Sequence, residues 1–128
     1  MENIFEKFND GRLVIPNAEK NFSQLEWNKH PTFEGVELKH IVTASDTCGA
    51  FSYHLVRIAP NMKIGNHVHK EQTETHEVIS GSGICTNEGK EISYSTGIIS
   101  IMKMDTPHEV IAGGEGLYLF AKFIPALC

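Results

Sequence analysis

Short runs of mixed apolar and polar residues recur from Val36 onward at a spacing of about ten residues, which is typical of β-strands in sandwiches and barrels. In chain order they read VELKHIVT, AFSYHLVRI, THEVIS, GICT, EISY, IISIM, HEVIA and LYLFAKFI. Turn-forming residues separate them, so the glycine-rich stretches 80–83 and 113–116 are predicted as turns. No helical crossover of about 10–15 residues lies between the runs, which argues against a parallel sheet. The pattern therefore predicts an all-β sandwich or barrel for residues 36–128.

The first 35 residues lack this texture, and we expect them to form an arm that packs over the barrel. Apolar residues at positions 4, 5 and 8 share one face of a short predicted helix that stops at Asp10-Gly11. A second helix is predicted to begin at Asn17, a good N-cap residue, because apolar residues at 18, 22 and 25 follow at helical spacing.

Composition limits the classes of partner and the cellular location that we expect. The 128 residues carry 11 Lys and Arg against 16 Asp and Glu, a net charge of −5, which offers no counter-charge to nucleic acid. No apolar run reaches the ~18–20 residues needed to cross a bilayer, so no membrane partner is predicted. The N-terminal residues do not have the pattern of a signal peptide. Cys48, Cys85 and Cys128 are odd in number and widely spaced, which favours a reduced, cytoplasmic protein without a structural disulfide.

The segment GNHVHKEQTETHEVISGSG holds three of the seven histidines together with three glutamates. If His67 and His69 lie on one strand, both imidazoles point to the same face. Glu74 follows after room for a tight turn, and His76 shares its face once the next strand has begun. In a closed β architecture His108, at the head of the run HEVIA, can converge on the same point. The cluster is either a metal site or a polar, solvated sheet face, and spacing alone leaves both interpretations open.

The same segment resembles the first motif of the cupins, G-x5-H-x-H-x3–4-E-x6-G. His67 and His69 occupy the H-x-H positions, Glu74 the acidic position and Gly81 the last glycine. Asn61 stands where the first glycine is usual, and asparagine also tolerates a left-handed turn.

The second cupin motif, G-x5-P-x-G-x2-H-x3-N, is matched in part. Gly97 and His108 fill its first glycine and its histidine. Lys103 stands in place of the proline, Asp105 in place of the second glycine and Ala112 in place of the asparagine. The departures fall on the turn of the motif, whereas its ligand is retained. The resemblance covers roughly residues 50–125.

The resemblance implies a double-stranded β-helix, the jelly-roll cupin barrel, over residues 36–128, with residues 1–35 as the N-terminal arm. It further implies that His67, His69 and Glu74, together with His108, bind a divalent transition metal. Three imidazoles and one carboxylate suit Fe, Mn, Zn or Ni, and the sequence does not choose among these ions.

Three residues are candidates for catalysis. His76 can act as a general acid or base because the ordinary pKa of histidine is ~6.5, although it can equally be buried and hydrogen-bonded. Lys103 and Arg57 can orient a substrate carboxylate, or can simply be solvated charges. His30 and His40 have no partner at a ligand spacing and are interpreted as structural or surface residues.

We expect a metal-binding cupin enzyme that acts on a small organic acid or a sugar-derived substrate. The resemblance implies a range of activities that includes dioxygenases, isomerases, decarboxylases and lyases, and fold alone does not select among them. The alternative is a non-catalytic cupin that binds a small ligand as a sensor or carrier. A homodimer is predicted, since an isolated jelly roll exposes sheet edges that a neighbour's arm can cover.

Overall fold

The computed structural model describes residues 3–128, which contain ten β-strands, two short α-helices and one turn of 3-10 helix. The helices are α1 (Ile4–Asn9) and α2 (Ala44–Thr47). The strands are β1 (Arg12–Ile15), β2 (Ala18–Asn21), β3 (Asn28–Lys29), β4 (Val36–Val42), β5 (Ser52–Ile58), β6 (Lys63–His67), β7 (Thr73–Asn87), β8 (Lys90–Tyr94), β9 (Ile99–Met102) and β10 (His108–Ile124). None of the described helices has the length and apolar character to cross a membrane.

The long strands β7 and β10 pair with each other and contribute to both layers of the barrel. Residues 117–124 of β10 lie between β5 and the first part of β7, and β3, β4 and β9 extend this layer. Residues 108–112 of β10 lie between β6 and the last part of β7, and β8 completes the second layer. This all-β, antiparallel jelly roll confirms the predicted fold class.

The stretches 80–83 and 113–116, predicted as turns, instead lie inside β7 and β10. The pairing register shifts between Ala112 and Leu117, so the glycines form an irregular corner that bends two continuous strands. Gly81 has a φ of +83°, and a Cβ placed there would lie 2.2 Å from the carbonyl oxygen of Gly116. Glycine is required at position 81 because two backbones approach each other at this corner.

The predicted first helix is confirmed. Helix α1 begins after Asn3, whose side-chain oxygen accepts hydrogen bonds from the backbone N–H groups of Phe5 and Glu6 at 3.0 and 3.3 Å. Phe5 is buried and packs against the rings of Trp27 and Tyr118. The helix is thereby fixed to the outer face of the main sheet.

The second predicted helix is wrong, because residues 12–21 form the β1–β2 hairpin and residues 22–24 form the 3-10 turn. Pro16 and Asn17 connect the two strands, as expected of residues that favour tight turns. Phe22 still reaches the apolar cluster under the arm without the predicted α-helix. Apolar residues at helical spacing were therefore not sufficient to predict a helix here. The division between residues 1–35 and 36–128 stays a prediction, and β3, from within the arm, adds an edge strand to the main sheet.

Strand β5 separates two apolar clusters by the alternation of its side chains. Val56 and Ile58 belong to the cluster inside the barrel. Tyr53 and Leu55 belong to the cluster between the sheet and the arm. A side chain on β5 therefore reaches the barrel interior only from an even-numbered position.

We expect Gly81→Ala to destabilise the protein by about 1–3 kcal/mol more than Gly89→Ala. Both glycines have a φ near +80°, so both substitutions incur the cost of a left-handed alanine, roughly 1–2 kcal/mol. Only at Gly81 does the added Cβ meet backbone atoms, since nothing lies within 4 Å of it at Gly89. Urea unfolding of the two variants measures the difference, and equal losses would contradict the proposed close approach.

Candidate metal centre

Four side chains meet at one end of the barrel interior, and their ligand atoms all lie within 4.8 Å of one another. His67 is the last residue of β6, His69 lies in the loop that follows, Glu74 is near the start of β7 and His108 begins β10. His67 and His108 are register partners on neighbouring antiparallel strands, which places their ring centroids 4.3 Å apart. The predicted ligand set therefore converges in space.

His69 reaches the cluster from a loop and not from the strand that its spacing suggested. Strand β6 ends at His67, and the ring centroids of the two histidines are 4.9 Å apart with nearly perpendicular planes. The carbonyl of His69 accepts a hydrogen bond of 2.8 Å from the backbone N–H of Asp105. Asp105, in place of the second-motif glycine, itself adopts a φ of +61°. The second cupin motif, although matched only in part, therefore still holds the loop that carries His69.

Backbone carbonyls orient two of the imidazoles. The Nδ1 of His67 donates to the carbonyl of Gly65 at 2.8 Å, and the Nδ1 of His108 donates to the carbonyl of Thr106 at 3.0 Å. Each bond fixes the tautomer and leaves Nε2 for a ligand, an arrangement that metal-binding histidines usually have. The donor set therefore fits a divalent transition metal.

Glu74 is buried and its two carboxylate oxygens have different partners. Oε1 lies 3.1 Å from the Nε2 of His108 and 3.4 Å from the Nε2 of His69, so it faces the ligand cluster. Oε2 accepts a 2.7 Å hydrogen bond from the Nε2 of His76. Burial alone would raise the pKa of Glu74, but the charges and hydrogen bonds of His76 and His108 outweigh burial and hold it well below its usual range. The carboxylate is therefore ionised, and its Oε1 is available to a metal at the ligand cluster.

His76 stands behind Glu74 and both of its ring nitrogens are engaged. Its Nε2–H donates to Glu74, and its Nδ1 lies 2.9 Å from the hydroxyl oxygen of Tyr94, within hydrogen-bond distance. Burial, and then a hydrogen bond with Cys85, raise the pKa of Tyr94, which keeps its hydroxyl protonated. In this arrangement His76 positions a ligand, and a direct acid–base role would require one of these hydrogen bonds to break.

The sequence matches the family described as the cupin domain over residues 54–120, just over half of the chain. This chain belongs to the cupin family. No curated protein matches it.

Solved structures with the cupin fold are similar to the chain at low sequence identity. A predicted oxalate decarboxylase from Thermotoga maritima is 18% identical, with a TM-score of 0.73 over 80% of this chain and 95% of that chain. KdgF from Halomonas sp. is 16% identical, with a TM-score of 0.71 over 80% and 88%. The polyketide cyclase RemF from Streptomyces resistomycificus is 15% identical, with a TM-score of 0.71 over 88% and 80%. At these identities the likeness establishes the fold alone.

A small cavity of about 60 Å³ adjoins the ligands of this cupin. Besides the histidines and Glu74, its walls are apolar and come from both layers and from the C-terminal segment, residues 125–128. The apolar lining consists of Leu38, Val56, Ile64, Ala121, Phe123 and Leu127. No lysine or arginine is among the described residues that line it.

His30 lines the same cavity, although it was predicted to be a structural or surface residue. Its Nδ1 accepts hydrogen bonds from the backbone N–H groups of Thr32 and Phe33 at 3.0 and 3.2 Å. Burial, and then the charge of nearby His67, lower the pKa of His30, so the ring is neutral and carries its proton on Nε2. The turn Pro31-Thr32-Phe33 after His30 is a possible sequence signal, because its N–H groups hold the ring. Only the fold, however, brings that turn to the cavity.

The structure does not bring Arg57 or Lys103 to the ligand cluster. Arg57 points to the arm side of β5, where it pairs with Glu37 at 3.0 Å and lies 4.0 Å from the ring centroid of Trp27. Lys103 is exposed in the turn after β9, because inward positions on that strand are held by Ser100 and Met102. Neither residue is placed to orient a substrate carboxylate in this cavity.

We expect His76→Leu to weaken metal binding by about 10–100-fold, the usual effect of losing a partner of a ligand. Leucine removes the donor to Oε2 of Glu74, so the buried carboxylate loses its orientation. His76→Gln is the matched control, since its amide N–H can still reach Oε2 and should retain most of the affinity. Calorimetric titration with Zn²⁺ and Mn²⁺ measures both variants, and equal affinities in the two would contradict the positioning role.

Metal binding should release a proton near neutral pH. Burial alone would lower the pKa of His108, but its hydrogen bond to Glu74 and that carboxylate's charge raise it, whereas burial lowers the pKa values of His67 and His69. The proton on His108 stabilises the metal-free fold below pH ~6.5, and this contribution is lost as pH rises through the raised pKa. A metal must displace that proton, while His67 and His69 are already neutral.

The affinity for Zn²⁺ should therefore increase as pH rises from about 6 to 8, and binding should release the His108 proton from the protonated fraction of the protein. Calorimetry in buffers of different ionisation enthalpy counts the protons. An affinity that does not change over this range would be inconsistent with displacement of the His108 proton.

Proposed function

We propose that this cupin is a metal-dependent enzyme that acts on a small organic acid or sugar-derived acid bound directly to the metal. The observation that carries the proposal is the cavity that opens onto His67, His69 and Glu74, where a small molecule can meet the ligand cluster. Three histidines and one carboxylate leave positions open on a six-coordinate ion.

The charge balance of the centre favours an anionic substrate. Two positive charges from a divalent ion and one negative charge from Glu74 leave the centre at +1, because His67, His69 and His108 are neutral as ligands. Since no lysine or arginine is among the described residues of the lining, this charge is the main attraction for an anion. A single carboxylate or an enolate oxygen matches it.

The cavity favours a substrate of few atoms. Its volume of about 60 Å³ corresponds to about two water molecules at their liquid share of ~30 Å³ each. Apolar walls from Val56, Phe123 and Leu127 exclude further water and strengthen electrostatic interactions inside. A larger substrate would require Leu127 and the C-terminal segment to move.

In the proposed enzyme, the bound ion, Glu74 and His30 have different roles. A bound divalent ion polarises a coordinated carbonyl or carboxylate and, as Fe(II), supports oxygenase chemistry. Glu74, held by His76, keeps its charge and position throughout. His30 offers its Nε2–H to a substrate oxygen, so it can stabilise negative charge that develops there. This division supports decarboxylation, isomerisation, elimination or dioxygenation next to a carbonyl group.

The alternative function is that of a small-ligand-binding or sensor cupin without turnover. The small volume of the cavity favours this alternative function, since a narrow pocket with Leu127 in its wall retains a ligand well. The two functions share the same ligand set and differ only in whether a bound acid is converted.

The proposal predicts that protein purified without an affinity tag contains a transition metal, and that His69→Ala loses it. The parent, loaded with the metal it contains, is then incubated with small carboxylic acids, sugar acids, β-diketones, catechols and thiols, with oxygen consumption and products followed by NMR. Turnover that disappears in His69→Ala supports the enzyme. Tight binding without turnover supports the sensor, and a parent that binds no metal would refute both.

His30→Ala should retain the metal content of the parent, because His30 is outside the ligand cluster, but should weaken binding of the acid. Loss of one hydrogen bond to a charged oxygen corresponds to about 1.5–3 kcal/mol, or roughly 10–150-fold in affinity or kcat/KM. His30→Gln, which keeps an N–H donor, should restore part of the loss. Unchanged acid binding in His30→Ala would show that His30 does not contact the acid.

A further inference from the structure

A second cluster of potential metal ligands lies on the other side of Phe123 from the metal centre. His40 on β4, His54 on β5 and Cys128 in the C-terminal segment place one ligand atom each within 4.8 Å of one another. The ring of Phe123 lies 5.5 Å from the ring of His54 and 5.0 Å from that of His69, so it separates the two clusters. None of the three residues belongs to the cupin motifs.

The fold brings each member to this place for a separate reason. His40 and His54 are register partners on neighbouring antiparallel strands, which sets their rings side by side. Cys128 is held by hydrogen bonds of its segment: the N–H of Leu127 donates to the hydroxyl of Ser52 at 2.8 Å, and the N–H of Ala44 donates to the carbonyl of Cys128 at 2.7 Å. The backbone therefore fixes all three Cα positions.

The two imidazoles already present nitrogen atoms to each other. Their Nδ1 atoms are 2.7 Å apart, so one of them is a lone pair that accepts the other's proton. The Nε2 of fully buried His54 lies 2.7 Å from the hydroxyl of Ser52. Because this hydroxyl can donate or accept, His54 can carry its proton on Nε2 and offer the Nδ1 lone pair to an ion.

We propose that His40, His54 and Cys128 form a second metal site, for Zn²⁺, which fastens the C-terminal segment to the barrel. Two imidazole nitrogens and a thiolate are typical zinc ligands, and the fourth tetrahedral position is left for water. Sulfur distinguishes this site from the first, whose donors are nitrogen and oxygen only.

The rearrangement that zinc requires is small. Two nitrogens at ~2.0–2.1 Å from a tetrahedral ion lie about 3.3 Å apart, so the Nδ1 atoms must separate by about 0.6 Å. His40 is half-buried and Cys128 is exposed, so these side chains can move while Ser52 holds His54. Burial lowers the pKa of His40, and burial and then the charge of His40 lower that of His54 to about 4, so protons compete little for either imidazole.

The ion would act on the cavity of the metal centre through Leu127. This residue lines the cavity and directly precedes Cys128. An ion bound by Cys128 would hold the C-terminal segment against β4 and β5, and thereby keep Leu127 in the cavity wall.

Titration of the reduced, full chain with Co²⁺, a spectroscopic substitute for zinc, tests the site. A thiolate ligand gives a near-ultraviolet charge-transfer band that the sulfur-free first site cannot give. We expect the band in the parent, in the first-site variant His67→Ala/His69→Ala and in Cys48→Ser, whose substituted cysteine is also exposed. We expect its loss in Cys128→Ser and His40→Ala.

Zinc content should correspondingly fall from about two ions per chain in the parent to about one in Cys128→Ser. Zinc should also slow hydrogen exchange of the Leu127 amide in the parent and leave it unchanged in Cys128→Ser. A parent without the band, or a band that persists in Cys128→Ser, would overturn the site. Retention of the band in the first-site variant keeps this result independent of the proposed enzyme function.

Discussion

An ionised carboxylate buried inside a barrel is the constraint around which this site is built. Removing an unpaired carboxylate from water costs many kcal/mol, so Glu74 can remain charged only because His76 and His108 approach its two oxygens. Tyr94 in turn satisfies the far nitrogen of His76. Replacing such a network by apolar side chains would often be neutral or stabilising. Its presence inside the barrel is therefore better explained by the metal that it is proposed to position than by stability.

Strand pairing in the barrel is sufficient to place this carboxylate beside the imidazoles. Antiparallel pairing sets the end of β6 beside the start of β10, so His67 and His108 are adjacent by register alone. Strand β7 begins beside β9, and a hydrogen bond between the loops at His69 and Asp105 closes the remaining side. The corner at Gly81 lets β7 and β10 run through both layers. Small errors in that corner would shift the ligands relative to one another.

The fold class and the metal ligands could be predicted because each left a local signal. Strand-length runs predicted the sheet, and the spacing of His67, His69 and Glu74 carried the resemblance to the cupins. The glycine-rich corners were misread as turns, since a bulge inside a long strand and a turn between two strands use the same residues. The helix predicted after Asn17 failed because tertiary packing of Phe22 overrode an apolar spacing that also suits a hairpin. The turn after His30 did not suffice to place it at the site, because only the folded chain brings this turn of the arm to the ligand cluster.

Part of the cavity lining lies outside the segment that matches the family, and this bears on how its chemistry can be found. The four ligands lie within residues 54–120, the segment that matches the family. His30, Leu38 and Leu127, which shape the cavity, lie outside it. A relative can therefore share the candidate ligand set and differ at these three wall positions, so likeness in the matched segment indicates the ligand set and not the whole cavity. In the proposed function, the substrate would be selected by the volume and apolar walls of the cavity, to which Leu38 and Leu127 contribute, and by the imidazole of His30.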